Sequence, residues 1–205
     1  MGRMSHETRE RLVRRGVEML TEFSVGATGL DRLLRSAGVT KGSFYHFFGS
    51  KQAFTLAVID AYEAYFEARF ERILGDRQLS PVRRMRHWID EAVRGMARHG
   101  FRRGCLVGNL SQELGPHDAV LRERLRAVFE RWEGWVRQVL EEARACGELR
   151  PGADPARLAT AFLTGWQGAI LRAKLEGRAE PMEAFASFFL DAVTPADPPA
   201  CRGAR

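Results

Sequence analysis

Apolar residues recur along this chain at steps of three and four, and no stretch shows the strict alternation of a half-buried strand, so the pattern predicts an all-α protein. Residues 5–23 carry Leu12, Val13, Val17, Leu20 and Phe23 at helical spacing, with Arg9, Arg11, Arg14 and Arg15 between them. A short amphipathic helix follows, with Leu30, Leu33, Leu34 and Ala37 on one face and a stop at Gly38. From Lys51 to Leu74 the series Phe54, Val58, Ala61, Tyr62, Tyr65, Phe66, Phe70 and Ile73 describes one long helix. Val82 to Met96 describes the next. Asp118 to Ala145 is amphipathic, with a densely charged outer face. Asp154-Pro155 supplies a cap and a first-turn proline for a helix to about Glu176. That helix is apolar over most of its circumference and needs more than one neighbour, which a second subunit can supply. A last helix is expected over Met182–Val193, and the tail from Thr194, rich in proline, alanine and arginine, is expected to fray.

Between these helices, Thr40 to Lys51 (TKGSFYHFFGSK) has a different chemistry. Thr40 can cap a helix by accepting from the backbone N–H of Gly42 or Ser43, and Lys41-Gly42-Ser43 then forms a first turn with little side-chain bulk. A slender first turn lets the backbone come close to another molecule. Phe44, Phe47 and Phe48 can face a core, while Lys41, Ser43, Tyr45 and His46 offer hydrogen bonds. Ser50-Lys51 opens the next helix, whose start can hold a phosphate on its N–H groups while Lys51 adds a point charge. A helix, a glycine-containing turn and a capped helix in this order describe a helix-turn-helix.

Charge supports that reading by its placement. The 205 residues carry a formal net charge of +6; residues 1–51 hold nine basic and five acidic side chains, a net of +4. A basic first quarter joined to a nearly balanced remainder suggests a nucleic-acid-facing module and a body with another task. Nothing resembles a secretory signal or an uncharged apolar span, so no membrane partner and a cytoplasmic location are expected. Cys105, Cys146 and Cys201 have neither disulfide-framework nor metal-site spacing, and His87, His99 and His117 share no ligand spacing. No metal or cofactor is expected. A thiol-dependent enzyme acting through Cys105 is the competing class, but no base stands at a recognisable spacing from it. A non-specific architectural DNA protein would explain the basicity but not the apolar body.

The segment Gly100–Gly115 departs from simple patterning, with four glycines around Cys105, Asn109, Ser111 and Gln112. Such polar groups are costly to bury without partners, which a ligand or internal hydrogen bonds would provide. Cys105 has two readings, a small buried hydrophobe or a thiol activated by Arg102, Arg103 or Lys174. Trp88, Trp132 and Trp166 are candidates for core, interface or ligand stacking. Arg172 and Lys174 either complement a helix C-terminus or bind a carboxylate.

Gly42-Ser43-Phe44-Tyr45-His46-Phe47-Phe48-Gly49-Ser50-Lys51 matches the G-x-[FY]-Y-x-[YF]-F-x-x-K pattern of the TetR family of bacterial repressors, which residues 8–60 resemble. ARHGFRRGCLVGNL, EARACGEL and GAILRAKLE extend the resemblance to the acrylate-utilisation and electrophile-responsive branch of that family. The resemblance implies a helix-turn-helix DNA-binding domain at 1–50 and a helical ligand-binding and dimerisation domain at 51–205. It implies a homodimer on a near-palindromic duplex operator. Thr28, Thr40, Lys41, Gly42, Ser43, Tyr45, His46 and Lys51 would face DNA, with Thr40 and Lys51 mainly positioning. A small reactive carbonyl compound or unsaturated carboxylate would be the effector, met by Trp88, Cys105, Asn109, Trp132, Trp166 and Lys174. Repression relieved by that ligand, held reversibly or attached to Cys105, is the implied sign.

Overall fold

The computed structural model describes residues 2–23 and 25–196. Its elements are α1 (Gly2–Glu22), α2 (Val25–Thr28), α3 (Leu30–Ala37), α4 (Lys41–Phe48), α5 (Lys51–Leu74), α6 (Pro81–Ala97), α7 (Leu106–Glu113), α8 (Ala119–Ala145), α9 (Pro155–Glu176) and α10 (Glu180–Val193). Among the described residues there is no strand. The expected helices are present; the pattern missed the single turn α2, too short to show a period. Residues 197–205, with Cys201 and most of the tail expected to fray, lie outside the described residues. Among the described residues, no helix is long and apolar enough to cross a membrane.

The chain divides into two compact units, residues 1–65 with 103–128, and residues 66–102 with 129–205. The helices α5 and α8 contribute residues to both.

In the first unit, α1 is the brace. Leu12 is fully buried, and a Cβ on Gly16 would fall 2.7 Å from both Phe54 Cζ and Val58 Cγ2, so only glycine lets α1 and α5 approach this closely. Gly38 ends α3 in the left-handed region (φ 64°), where its N–H and that of Val39 reach back to the Arg35 and Leu34 carbonyls. Arg11 donates from Nε to the Ala37 carbonyl at 3.1 Å, completing that helix end. Arg15 pairs with Glu18 on its own helix. Arg124 on α8 holds both Asp60 and Glu63 of α5.

In the second unit, Asp154 caps α9 by accepting from the N–H groups of Ala156 and Arg157, with Pro155 at the first helical position, as the sequence predicts. An aromatic core follows. Trp88 stacks on Phe70 (5.5 Å, 13°) and meets Trp166 at 5.5 Å, while Phe162 stacks on Trp166 (5.7 Å, 12°). Gly165 faces Phe185 of α10 so closely that a Cβ would lie 2.2 Å from its ring. The neighbours that α9 needs for Phe162 and Trp166 thus come from α6 and α10 of its own chain. The large apolar side chains left outside in this unit, among the described residues, are Leu171, Leu175 and Phe188, at 53%, 79% and 73% exposure.

Cys105 is a free, buried thiol.

Arg84 is a buried cation on α6, donating to the Leu74 carbonyl at 2.6 Å and pairing with Glu142 of α8. Burial pushes the Glu142 carboxyl up, but the Arg84 hydrogen bond and the charges of Arg84 and Arg77 outweigh it, and the group ends below its ordinary value. A carboxylate so depressed contributes stability that is present above its unfolded pKa and is lost as pH falls through the lower folded value. Urea unfolding at neutral pH should therefore show Arg84→Leu less stable than the wild type, with Arg77 left to balance Glu142. Glu142→Gln should flatten the acid limb of the stability curve; an acid limb as steep as that of the wild type would contradict the pairing.

Candidate nucleic-acid interface

The rotation of α4 about its axis is fixed by aromatic packing. Phe44 is fully buried, and Phe44, Phe48 and Phe54 form a triangle with centroids 5.0–5.3 Å apart, two edges of it steeply tilted or edge-to-face. Arg9 of α1 lies over the Phe48 ring at 5.2 Å. With positions 44 and 48 turned inward, helical geometry turns Gly42 and His46 outward; Lys41, at the first helical position, and Tyr45, at the edge of the buried face, are exposed as well. Tyr45 shows 39% of its surface.

Thr40 starts the helix in extended conformation, and its hydroxyl accepts from the Ser43 N–H at 3.2 Å while also lying 3.0 Å from the Ser43 hydroxyl. Of the two expected donors, Ser43 is the one used. Gly42 beside it is not demanded by internal packing, since the nearest atom to an added Cβ would be Thr40 Oγ1 at 4.0 Å. A side chain there would project only toward whatever approaches the helix from outside.

Gly49 closes α4 with φ 70°, and its N–H bonds to the Tyr45 carbonyl at 2.9 Å. Ser50 then caps α5 by accepting from the Ala53 N–H at 3.0 Å, and Lys51 stands exposed in a first turn free of acidic residues. Its N–H groups and ammonium suit a phosphate. Thr28 ends α2 with a buried side chain whose hydroxyl has no hydrogen-bond partner among the described residues.

The residues expected around an effector fall into both units. Cys105 and Asn109 lie at the start of α7 in the first; Trp88, Trp132, Trp166 and the half-buried Lys174 lie in the second. Trp132 joins the aromatic core through Phe66 and Phe70, at 5.3 and 6.0 Å. Cys105 is the N-cap of α7, its sulfur accepting from the Gly108 N–H at 3.4 Å. Tyr62 of α5 is beside it: burial pushes the phenol well above its ordinary value, and the neighbouring thiol pushes it further.

Asn109 donates to the Leu20 and Thr21 carbonyls at the end of α1, at 3.0 and 3.3 Å. The Gly104 N–H reaches the Thr21 carbonyl at 2.9 Å, Arg103 pairs with Glu22, and Glu113 accepts from the Val25 N–H at 2.7 Å. The segment 103–113 therefore satisfies open backbone groups where α1 ends and α2 begins. Sequence reasoning missed this clasp. Its signal was the need of every helix end for partners, which a polar segment elsewhere in the chain can supply. Among the described residues, no group of three or more His, Cys, Asp or Glu side chains could hold a metal ion.

Comparison with known proteins bears on both halves of the chain. The family described as bacterial regulatory proteins, tetR family, matches residues 12–58, and the tetracyclin repressor-like C-terminal domain matches residues 81–189. The transcriptional regulator AcuR of Cereibacter sphaeroides is 49% identical over 178 residues, spanning 87% of this chain and 81% of its own. The HTH-type transcriptional repressor DhaR of Mycobacterium sp. (strain GP1) is 32% identical, over 91% of this chain and 92% of its own. The crystal structure of regulatory protein TetR from Rhodobacter sphaeroides superposes with a TM-score of 0.87 at 47% identity, covering 90% and 98% of the two chains.

Proposed function

The chain belongs to the tetR family of bacterial regulatory proteins, DNA-binding transcriptional repressors, and from that premise we propose that it acts in the cytoplasm as a homodimer on a near-palindromic operator. A small unsaturated carboxylate, its thioester or a related electrophile releases it. Residues 1–50 form the DNA-binding domain and 51–205 the ligand-binding and dimerisation domain.

The observation that carries the DNA-binding role is the outer face of α4: Lys41, Tyr45 and His46 exposed around a glycine that no internal contact requires. Lys41, Ser43, Tyr45 and His46 meet bases and phosphates in the major groove, Gly42 admits the backbone, and Thr40 and Lys51 set the position. Thr28 contacts the DNA backbone from the end of α2, a role that requires its hydroxyl to become accessible on the duplex. Leu171, Leu175 and Phe188 supply an apolar surface on α9 and α10 for the second subunit. Effector binding favours a spacing of the two recognition helices that no longer fits successive grooves.

A duplex enriched for binding and a random duplex of equal length distinguish the roles. Lys51→Ala should weaken both and reduce the salt slope by about one, whereas Tyr45→Ala should also lower the ratio between them. Equal losses on both duplexes for both variants would remove the distinction, and no loss in either would remove α4 from the interface.

A second reading, a covalent sensor, is favoured by the place of Cys105 at the N-terminus of α7, where helix N–H groups stabilise a thiolate. Under that reading Cys105→Ser still binds DNA but ignores an electrophile, and intact mass shows an adduct on the wild type alone. Release of Cys105→Ser by an unreactive carboxylate would support the reversible route instead.

A further inference from the structure

A hydrogen bond between side chains ties the start of α5 to the start of α8, and both residues lie in the first unit. Asp118, just ahead of α8, uses its two carboxylate oxygens on different partners: Oδ1 accepts from the Leu121 N–H at 3.0 Å, and Oδ2 accepts from Gln52 Nε2 at 2.8 Å. The second distance is that of a charge-assisted hydrogen bond, roughly 2.7–2.9 Å. The Asp118 carboxyl is accordingly held below its ordinary value, first by the Leu121 N–H and then by Gln52. Because the cap of α8 already fixes the carboxylate, Gln52 meets a preset acceptor. Farther along, Arg124 of α8 donates from Nε to Asp60 of α5 at 2.9 Å. At about 1.5 Å of rise per residue, the ties at positions 52 and 60 stand about 12 Å apart along α5.

Phe54 is the first buried residue of α5, whereas Lys51 and Gln52 are exposed. The first turn therefore stands ahead of the core contacts of its helix, where an end opens at little cost. Within that turn Ser50 accepts from the Ala53 N–H, and Gln52 adds a tie to another element. We infer that Gln52 and Asp118 are positioning residues for DNA binding: their hydrogen bond holds the first turn of α5 closed and Lys51 aimed at a phosphate. Neither side chain touches the duplex. The cost of ordering the turn is met before the duplex arrives, so less of it is subtracted from affinity. This inference rests on the proposed phosphate contact of Lys51 and adds the pair that holds it in place.

Affinities of the full chain for the enriched and the random duplex, measured across a salt series, test it. Asp118→Asn and Asp118→Ser remove the same charge and both keep a good N-cap for α8, but only asparagine is long enough to reach the Gln52 amide. Asp118→Ser should bind both duplexes about three- to tenfold more weakly than Asp118→Asn, the worth of about one hydrogen bond. Gln52→Ala should fall short of the wild type by a similar factor. In Asp118→Ser and Gln52→Ala the salt slope should drop toward that of Lys51→Ala. In the Lys51→Ala background the difference between the two Asp118 variants should vanish, which a merely structural contact would not bring about. Circular dichroism should show wild-type helix content in every variant. Equal binding by the two Asp118 variants, or a difference that persists without Lys51, would overturn the inference, while a loss in Lys51→Ala would leave the phosphate contact standing. A loss in Gln52→Ala unmatched by Asp118→Ser would overturn it too, since Gln52 would then meet DNA itself. No loss in Lys51→Ala would remove the phosphate contact and the inference with it.

Discussion

Everything the first unit offers to a partner depends on the burial of Phe44. With Phe48 and Phe54 it locks one side of an eight-residue helix to the start of α5. A helix so short has little stability of its own, so tertiary packing must hold it. The same packing decides which side chains look outward. Fully burying one Phe contributes about 1.5–3 kcal/mol, comparable to the worth of the Thr40 cap and the Gly49 turn together. Those caps set where α4 begins and ends; the aromatic triangle sets what it shows.

The clasp from the α7 segment gives α1 a second constraint at its far end. Asn109 and Gly104 donate to carbonyls that no following turn of helix could satisfy, and Glu113 receives the first N–H of α2. The stretch with the most irregular sequence is thus tied to the backbone that carries the helix-turn-helix, while Cys105 caps its own helix two residues from Val107 in the interior of the same unit. A polar residue in a glycine-rich segment has two explanations, ligand or backbone, and for Asn109 the hydrogen bonds supply the second.

Local features were the legible ones. Gly38, Thr40, Asp154 and Pro155 act where their side chains or backbones dictate, because a cap involves partners within three residues. Of the three phenylalanines expected to face a core, Phe44 and Phe48 are buried and Phe47 is half-buried. What could not be read was pairing at a distance. Trp166 finds Trp88, Gly165 finds Phe185, and Arg84 finds Glu142, across separations that periodicity does not encode. The excess apolarity of α9 is met for Phe162 and Trp166 by α6 and α10 of the same chain, and the large apolar side chains left exposed in this unit, among the described residues, are Leu171, Leu175 and Phe188.

The central claim is that two copies of α4, each held by its aromatic triangle, read DNA in adjacent major grooves. Selection of duplexes from a random pool by the wild-type protein tests it most directly. The account predicts an enriched inverted repeat whose half-sites lie about one helical turn apart, centre to centre, and loss of that enrichment with Tyr45→Ala. A pool that retains no preferred sequence, or a single asymmetric site unaffected by Tyr45→Ala, would contradict it.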